Sequence, residues 1–264
     1  MQFENQNVVI TGASSGIGSS LAKEFHARGA NLFLIARRED KLTEITDVFN
    51  SKRQNSARFY LCDLTAESIK DKHIDLKTLI ADLSKLEIDI LVNNAGRGSY
   101  GLFSDADLKK QLQMIELNLI VPVRLTHTLI PQMKKRKSGS IINISSVAGF
   151  QPVPFMSVYS GTKAFNYYFS MSLRYELKGL GINVLTVCPG PTESEFGDTE
   201  EMGTHKRSAV WDTSEKVAFE IVEALIKKKS WIITAKWSRL LALPCRLLPK
   251  SFSSWILSLG QNRT

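Results

Sequence analysis

The stretch that decides the fold is NVVITGASSGIGSSLAKEF, residues 7–25. It opens on a short apolar run, Asn7 to Thr11, of the kind that suits a strand covered on both faces. Its second half carries Ile17, Leu21, Ala22 and Phe25 at helical spacing on one face. Between them lies Gly12-Ala13-Ser14-Ser15-Gly16, which has two readings. As G-x-S-x-G it is the elbow that presents a nucleophilic serine, Ser14, in a hydrolase. As a glycine-rich turn from strand to helix it cradles a phosphate. Gly12 then allows the tight turn, Gly16 the close approach of backbone to a pyrophosphate, and Gly18 the packing of helix on strand. The helix N-terminus aims free N–H groups and a positive dipole at the anion. A Walker A loop is excluded, because no G-K-[ST] follows. The elbow needs a later histidine at a strand end, and His205, in the loop after the sixth strand, keeps that reading open.

Working outward, the alternation of strand and helix continues. NLFLIA (31–36) is an apolar strand and EDKLTEITDVFNSK (39–52) an amphipathic helix. RFYLCD (58–63), DILVNNAG (89–96), SIINISS (140–146), INVLTVCPG (182–190) and SWIITA (230–235) read as further strands. Helices are expected near 74–86, 105–117, 119–137, 157–178 and 214–228. Fully apolar strands joined by helices predict an α/β fold, a Rossmann-type doubly wound parallel sheet of about seven strands. Ligands in such sheets sit beyond the carboxyl ends of the strands. The polar clusters there are Thr11–Gly18, Arg37–Arg38, Asp63, Asn93–Gly96, Ser145–Ser146 and Pro189–Ser194.

The chain has 264 residues, suited to one such domain with a large core. Cys62, Cys188 and Cys245 are scattered and odd in number, as core thiols in a reducing compartment would be. His26, His73, His127 and His205 show no ligand spacing, so no metal is expected. With no charged-then-apolar leader and no spanning run of about 18 apolar residues, a cytoplasmic setting is expected. Net charge is +8, and all of it belongs to the tail. After Glu223 come eight basic residues and no acidic one, which leaves 26 basic against 26 acidic residues in the body. A neutral body without an aromatic-basic surface motif argues against a nucleic-acid partner.

The spacing Thr11-Gly12-x-x-x-Gly16-Ile17-Gly18 does not stand alone. NNAG (93–96), Asn118 in IELNLIVPV, NISSVAG (143–149), Tyr159-Ser160-Gly161-Thr162-Lys163 and CPGPTES (188–194) follow in order. Together they resemble the short-chain dehydrogenase/reductase family over about residues 5–235. The resemblance turns the opening stretch into a phosphate cradle, in which Ser14 and Ser15 bond cofactor phosphate or ribose. It implies an oxidoreductase that moves a hydride between a nicotinamide and a carbonyl or secondary alcohol, with carbonyl reduction the favoured direction. It also implies a homodimer or homotetramer. An alcohol dehydrogenase working oxidatively, and a cofactor-binding sensor or scaffold with weak catalysis, are the alternatives.

The site follows residue by residue. Tyr159 and Lys163 lie one helical turn apart on one face. A free tyrosine titrates near about 10, too high for a base at neutral pH. An ammonium ~4 Å away, at an effective dielectric of about 20, is worth roughly 4 kcal/mol, or about three pKa units. Tyr159 is thus expected as the proton donor or acceptor, and Lys163 as its tuner and a ribose ligand. In the family the serine lies thirteen residues before the tyrosine, which selects Ser146 over Ser145 to polarise the substrate oxygen. Asn118 matches the asparagine that holds a relay water, with helix kinking as its other reading.

An NAD enzyme of this type ends its second strand on an acid, whereas Ala36 stands here, followed by Arg37 and Arg38. A guanidinium grips a 2′-phosphate, so NADP(H) is favoured over NAD(H). Arg37 is the better candidate, with Arg38 turned to solvent. The resemblance places Asp63 at the adenine and Asn93, Ala95 and Gly96 along the adenine ribose. It places Pro189, Gly190 and Thr192 at the nicotinamide, with Ser194 where the family often has threonine.

Phe150, Val153, Pro154, Phe155 and Met156 precede the tyrosine and suggest a small apolar substrate. Glu193 to Trp211 reads as a lid. Residues 1–235 form the expected catalytic domain and 236–264 a basic amphipathic extension. That extension suits either peripheral contact with anionic lipid or a partner subunit.

Overall fold

The computed structural model describes residues 2–65, 72–193, 195, 212–234, 239–240 and 249–259. Its strands are β1 (Asn7–Thr11), β2 (Asn31–Ala36), β3 (Ala57–Leu61), β4 (Ile90–Asn93), β5 (Gly139–Ile144), β6 (Ile182–Cys188), β7 (Thr192–Glu193), β8 (Asp212–Thr213) and β9 (Trp231–Ile233). Seven of them form one sheet in the order β3-β2-β1-β4-β5-β6-β9. Every pairing in it is parallel. The helices are α1 (Gly16–Ala27), α2 (Glu39–Lys52), α3 (Leu76–Ser84), α4 (Leu108–Ile115), α5 (Val121–Arg136), α6 (Ser157–Leu177), α7 (Ser214–Ile226) and α8 (Lys250–Leu259). β7 and β8 make a separate two-residue ladder.

The period-two alternation of the strands splits the core into two layers. Val8, Ile10, Leu32 and Leu34 pack with Phe25 of α1, Leu42 of α2 and Ile221 of α7. Val9, Phe33 and Leu91 face the other way, against Leu79 of α3, Leu125 of α5 and Leu173 of α6. Covering on both faces explains why the strands carry apolar side chains throughout.

Strand order reverses between β1 and β4, so the loops that follow them part and leave a crevice at the carboxyl edge. Two expectations need adjustment. The helices read as 105–117 and 119–137 run on through a π-turn, Glu116–Ile120, instead of stopping. The loop read as a lid, Glu193–Trp211, lies outside the described residues except for Glu193 and Glu195.

Candidate active site

The turn after β1 is built by backbone geometry. Gly12 and Gly16 have φ of +67° and +52°, the left-handed region that glycine enters without a Cβ clash. A Cβ on Gly18 would lie 2.2 Å from the Gly12 carbonyl oxygen, so α1 packs onto the turn only through glycine. Thr11 fixes this turn to the loop after β4. Its Oγ1 accepts from Asn94 N and Ala95 N, each at 3.0 Å, and donates to Val92 O at 3.2 Å. Asn94 Nδ2 in turn donates to Thr11 O and Gly12 O at 2.9 and 3.2 Å. Thr11 and Asn94 lie within motifs that the sequence reading used, but it gave neither of them this locking role.

The first turn of α1 holds no acid, and Ser15 at its N-cap makes no side-chain capping bond. Uncapped N–H groups at a positive helix end suit an anion. A carboxylate from the chain itself lies against this end. Glu195 approaches Arg38 to 2.6 Å and bonds the Ser15 side chain, and these bonds hold its carboxyl below its ordinary pKa. A pyrophosphate or sugar phosphate therefore fits the donors present.

Arg38 is not simply turned to solvent, as read above. Its Nε and Nη2 donate to Ser14 Oγ at 3.2 and 3.0 Å. Arg37 is the more exposed of the pair, 3.9 Å from Asp63 Oδ2. Asp63 also accepts from Thr65 N and Oγ1, both at 3.0 Å. The bonds to Ser14 bear on the hydrolase reading too. A guanidinium cannot take up a proton, so it cannot activate Ser14 as a nucleophile. His205 lies outside the described residues.

Asn93 stands elsewhere than expected. Its Nδ2 donates to Asn143 Oδ1 at 2.7 Å and Thr126 Oγ1 at 3.1 Å, on the core side of β4. The string continues from Asn143 to Ser170 Oγ, on to Asn166 O, and from Asn166 Nδ2 to the Asn118 carbonyl. Strand alternation from Leu91 carries the signal for this inward side chain. Ala95 and Gly96 do lie on the loop beside the glycine turn, and a Cβ on Gly96 would come 3.4 Å from both Asn118 Oδ1 and Lys163 Nζ.

At the ends of β5 and α6, Ser146, Tyr159 and Lys163 come together. Ser145 and Ser146 part as alternation requires. Ser145 Oγ donates to Lys163 O at 2.6 Å, whereas Ser146 is hydrogen-bonded to the Tyr159 hydroxyl and caps Ala148 N at 3.1 Å. Lys163 Nζ donates to Ile144 O at 3.0 Å and lies 5.7 Å from the centre of the Tyr159 ring. Gly149 lets the turn Val147–Phe150 press on α6, since a Cβ there would meet Lys163 O at 2.7 Å.

Burial, not the ammonium, sets the titration of this pair. Desolvation pushes Tyr159 up to about 12, opposed by its bond to Ser146, and holds Lys163 down to about 8. The expected lowering of Tyr159 is therefore not met in the protein by itself, and at neutral pH the phenol keeps its proton.

Asn118 sits in the π-turn, buried. Its side chain accepts from Arg97 N at 2.9 Å and donates to Arg97 O and Thr162 Oγ1 at 2.9 and 3.0 Å. It is thus a strut between the β4 loop and α6. Pro189 O accepts from Val147 N at 3.0 Å, and Thr192 Oγ1 donates to Gly190 O at 2.9 Å, so the loop after β6 borders the Ser146 turn. Ser194 lies outside the described residues. In the segment before α6, Phe155 stacks on Tyr100 at 5.8 Å, and Gly101 N donates to Phe155 O at 2.8 Å. Among the described residues no group of three or more His, Cys, Asp and Glu could hold a metal ion.

Residues 6–203 match the profile of the family described as short chain dehydrogenase. The chain is 35% identical over 232 residues to the very-long-chain 3-oxoacyl-CoA reductase of Rattus norvegicus, covering 86% of this chain and 72% of that one. A short-chain dehydrogenase from Sphingobium yanoikuyae, solved in complex with NADPH, superposes with a TM-score of 0.81 at 28% identity, covering 98% and 97% of the two chains. The bulky-bulky ketone specific alcohol dehydrogenase from Comamonas testosteroni superposes with a TM-score of 0.76 at 27% identity, covering 98% and 96%.

Proposed function

The chain belongs to the short-chain dehydrogenase/reductase family, an oxidoreductase acting on alcohol and ketone groups with a nicotinamide cofactor, and within that family we propose that it reduces an apolar ketone with NADPH. The observation that carries this reading is geometric: Tyr159 is buried, hydrogen-bonded to Ser146, and has Lys163 Nζ 5.7 Å from its ring centre. A reductase needs a proton donor at the carbonyl oxygen, and a phenol held beside a serine hydroxyl and an ammonium is one.

In this reading the turn Gly12–Gly18 and the N-terminus of α1 hold the pyrophosphate, with Ser14 and Ser15 donating to it. Arg38 and Arg37 bind the 2′-phosphate. Asp63, Ala95 and Gly96 border the adenosine, and Pro189, Gly190 and Thr192 the nicotinamide. The chemistry the nicotinamide would supply when bound is one hydride, to the carbonyl carbon. Ser146 donates a hydrogen bond to the carbonyl oxygen and orients it. Tyr159 gives its proton to that oxygen, so the carbonyl becomes an alcohol and the tyrosine a phenolate. Lys163, charged below pH of about 8, stabilises that phenolate and approaches the ribose hydroxyls. Asn118 keeps Arg97 and α6 in register and acts by positioning.

NADP(H) preference is supported by Ala36, which leaves the end of β2 without an acid, and by the cationic pair after it. An apolar substrate is supported by the stacked Tyr100–Phe155 pair. Exposed Leu108 and Leu112 on α4, with Tyr168 and Tyr175 on α6, support a second copy of the chain against that side.

The test is NADPH consumption with a panel of ketones graded by the bulk of both substituents, repeated with NADH. Turnover with NADPH and bulky ketones, the alcohol recovered in equal amount, is the expected result. Faster turnover with NADH would overturn the arginine assignment. NADPH binding without turnover of any ketone would leave the sensor reading.

A further inference from the structure

The C-terminal helix leaves large apolar side chains uncovered. A helix on the surface of a globular domain buries its apolar stripe and shows its polar one. Among the described side chains of α8, Ser253 is buried and Leu257 partly so, whereas Phe252, Trp255 and Ile256 are about half exposed. These three lie at i, i+3 and i+4, hence on one face, and Phe252 stacks on Trp255 at 5.9 Å. The helix is anchored beside the catalytic turn, since Lys250 Nζ donates to Phe150 O at 2.8 Å. Phe150 opens the loop that carries Phe155. Gly101 bonds Phe155 of that loop, and the next two residues, Leu102 and Phe103, are exposed too.

Charge says what covers this face. Everything after Glu223 is basic or neutral, with eight basic residues and no acidic one. Lys227 and Arg239 are paired with Glu223 and Glu220, but Lys250 is the one charged residue of α8 itself and no acid lies on that helix, so a second copy seated symmetrically on α8 would bring like charge against like. An anionic bilayer takes the same face with the opposite sign, and interfacial helices pair apolar and aromatic residues with lysine and arginine. We propose that α8 docks the protein on an anionic phospholipid surface, with the 150–156 loop turned toward the bilayer so that an apolar substrate enters from lipid. The docking goes beyond the proposed reaction and stands without it; only the entry route rests on that reading.

The experiment is sedimentation of the full chain with vesicles of phosphatidylcholine alone and of phosphatidylcholine with phosphatidylglycerol, at low and high salt. Wild type pellets with the anionic vesicles, less at high salt, and little with the neutral ones. The triple variant Phe252→Ser/Trp255→Ser/Ile256→Ser, shown to be folded by its melting curve, loses about ten-fold or more of that binding. Wild type that stays in the supernatant with anionic vesicles overturns the proposal, as does a triple variant that pellets equally. Light scattering covers the rival occupant. A wild-type oligomer that the triple variant breaks apart, without vesicle binding by either, assigns the face to a second copy. Vesicle binding without ketone reduction sinks the reaction and the entry route and leaves the docking standing.

Discussion

The two sides of the crevice are made of different material. The cofactor side is backbone: glycines at fixed spacing, an uncapped helix end, and Thr11 and Asn94 locking two loops together. The proposed substrate side is side chain: Tyr100 on Phe155 and the turn at Phe150, to which Lys250 of α8 is bonded. Backbone geometry admits few residues at each position, whereas an apolar wall admits many. The first side therefore identifies a family, and the second decides what an individual member reduces.

The sharpest way to break that contrast is at the point where the two sides meet. Tyr159→Phe removes the proton donor and nothing the cofactor needs for its phosphates. Ketone reduction falls about 10²- to 10⁴-fold, with NADPH affinity, followed by fluorescence, within a factor of about two. A variant that loses affinity and turnover together would make Tyr159 a binding residue.

Two glycines come next. Gly18→Ala sets a methyl group 2.2 Å from Gly12 O, and a melting curve should show a loss of about 1–3 kcal/mol together with weakened NADPH binding. Gly161→Ala, beside the catalytic tyrosine in α6, meets nothing within 4 Å and should gain about 0.5–1 kcal/mol. Equal effects at the two positions would refute the cradle geometry.

The buried ammonium gives a pH signature in the protein without cofactor. Lys163 titrates at about 8 when folded, against 10.5 as its ordinary value. Below about 8 both states hold the proton and the buried charge destabilises the fold in full. Between the two values the unfolded chain alone keeps the proton, so stability rises with pH. Melting temperatures of wild type relative to Lys163→Met should therefore climb between about pH 8 and about pH 10.5. A flat difference would mean that water reaches the ammonium.

The smallest effect is expected at the anion end. Glu195→Gln takes a carboxylate from Arg38 and Ser15, where it competes with phosphate. Both ends of the ion pair are about half exposed, so such a contact is worth at most about 1 kcal/mol. NADPH should bind up to about five-fold tighter. Weaker binding would show that Glu195 positions Arg38.

How far the sequence could be read follows the same division. Strand and helix order, the parallel sheet and the cradle were legible because apolar periodicity and glycine spacing leave little choice. Ser146 was separable from Ser145 by position, and the alternation of β5 places the two hydroxyls apart. Arg37 was preferred to Arg38 in the sequence, and the contacts that hold Arg38 at the turn were not legible there, because they come from Ser14 and from Glu195, which lies 157 residues away in the chain. Asn93 and Asn94 look alike in NNAG, but only Asn94 reaches the glycine turn, and the inward course of Asn93 depends on Asn143 and Thr126 across the sheet. The titration of Tyr159 was misjudged because a spacing of four residues supplies the Coulomb attraction and not the burial that opposes it.

The most direct test of the central claim is hydrogen transfer itself. Wild-type protein is incubated with a bulky ketone and NADPH carrying deuterium at both C4 positions, and the alcohol is analysed by mass spectrometry. The account predicts one deuterium on the carbinol carbon and an ordinary hydrogen on the oxygen in water. Bound NADPH with no labelled alcohol from any ketone would contradict it.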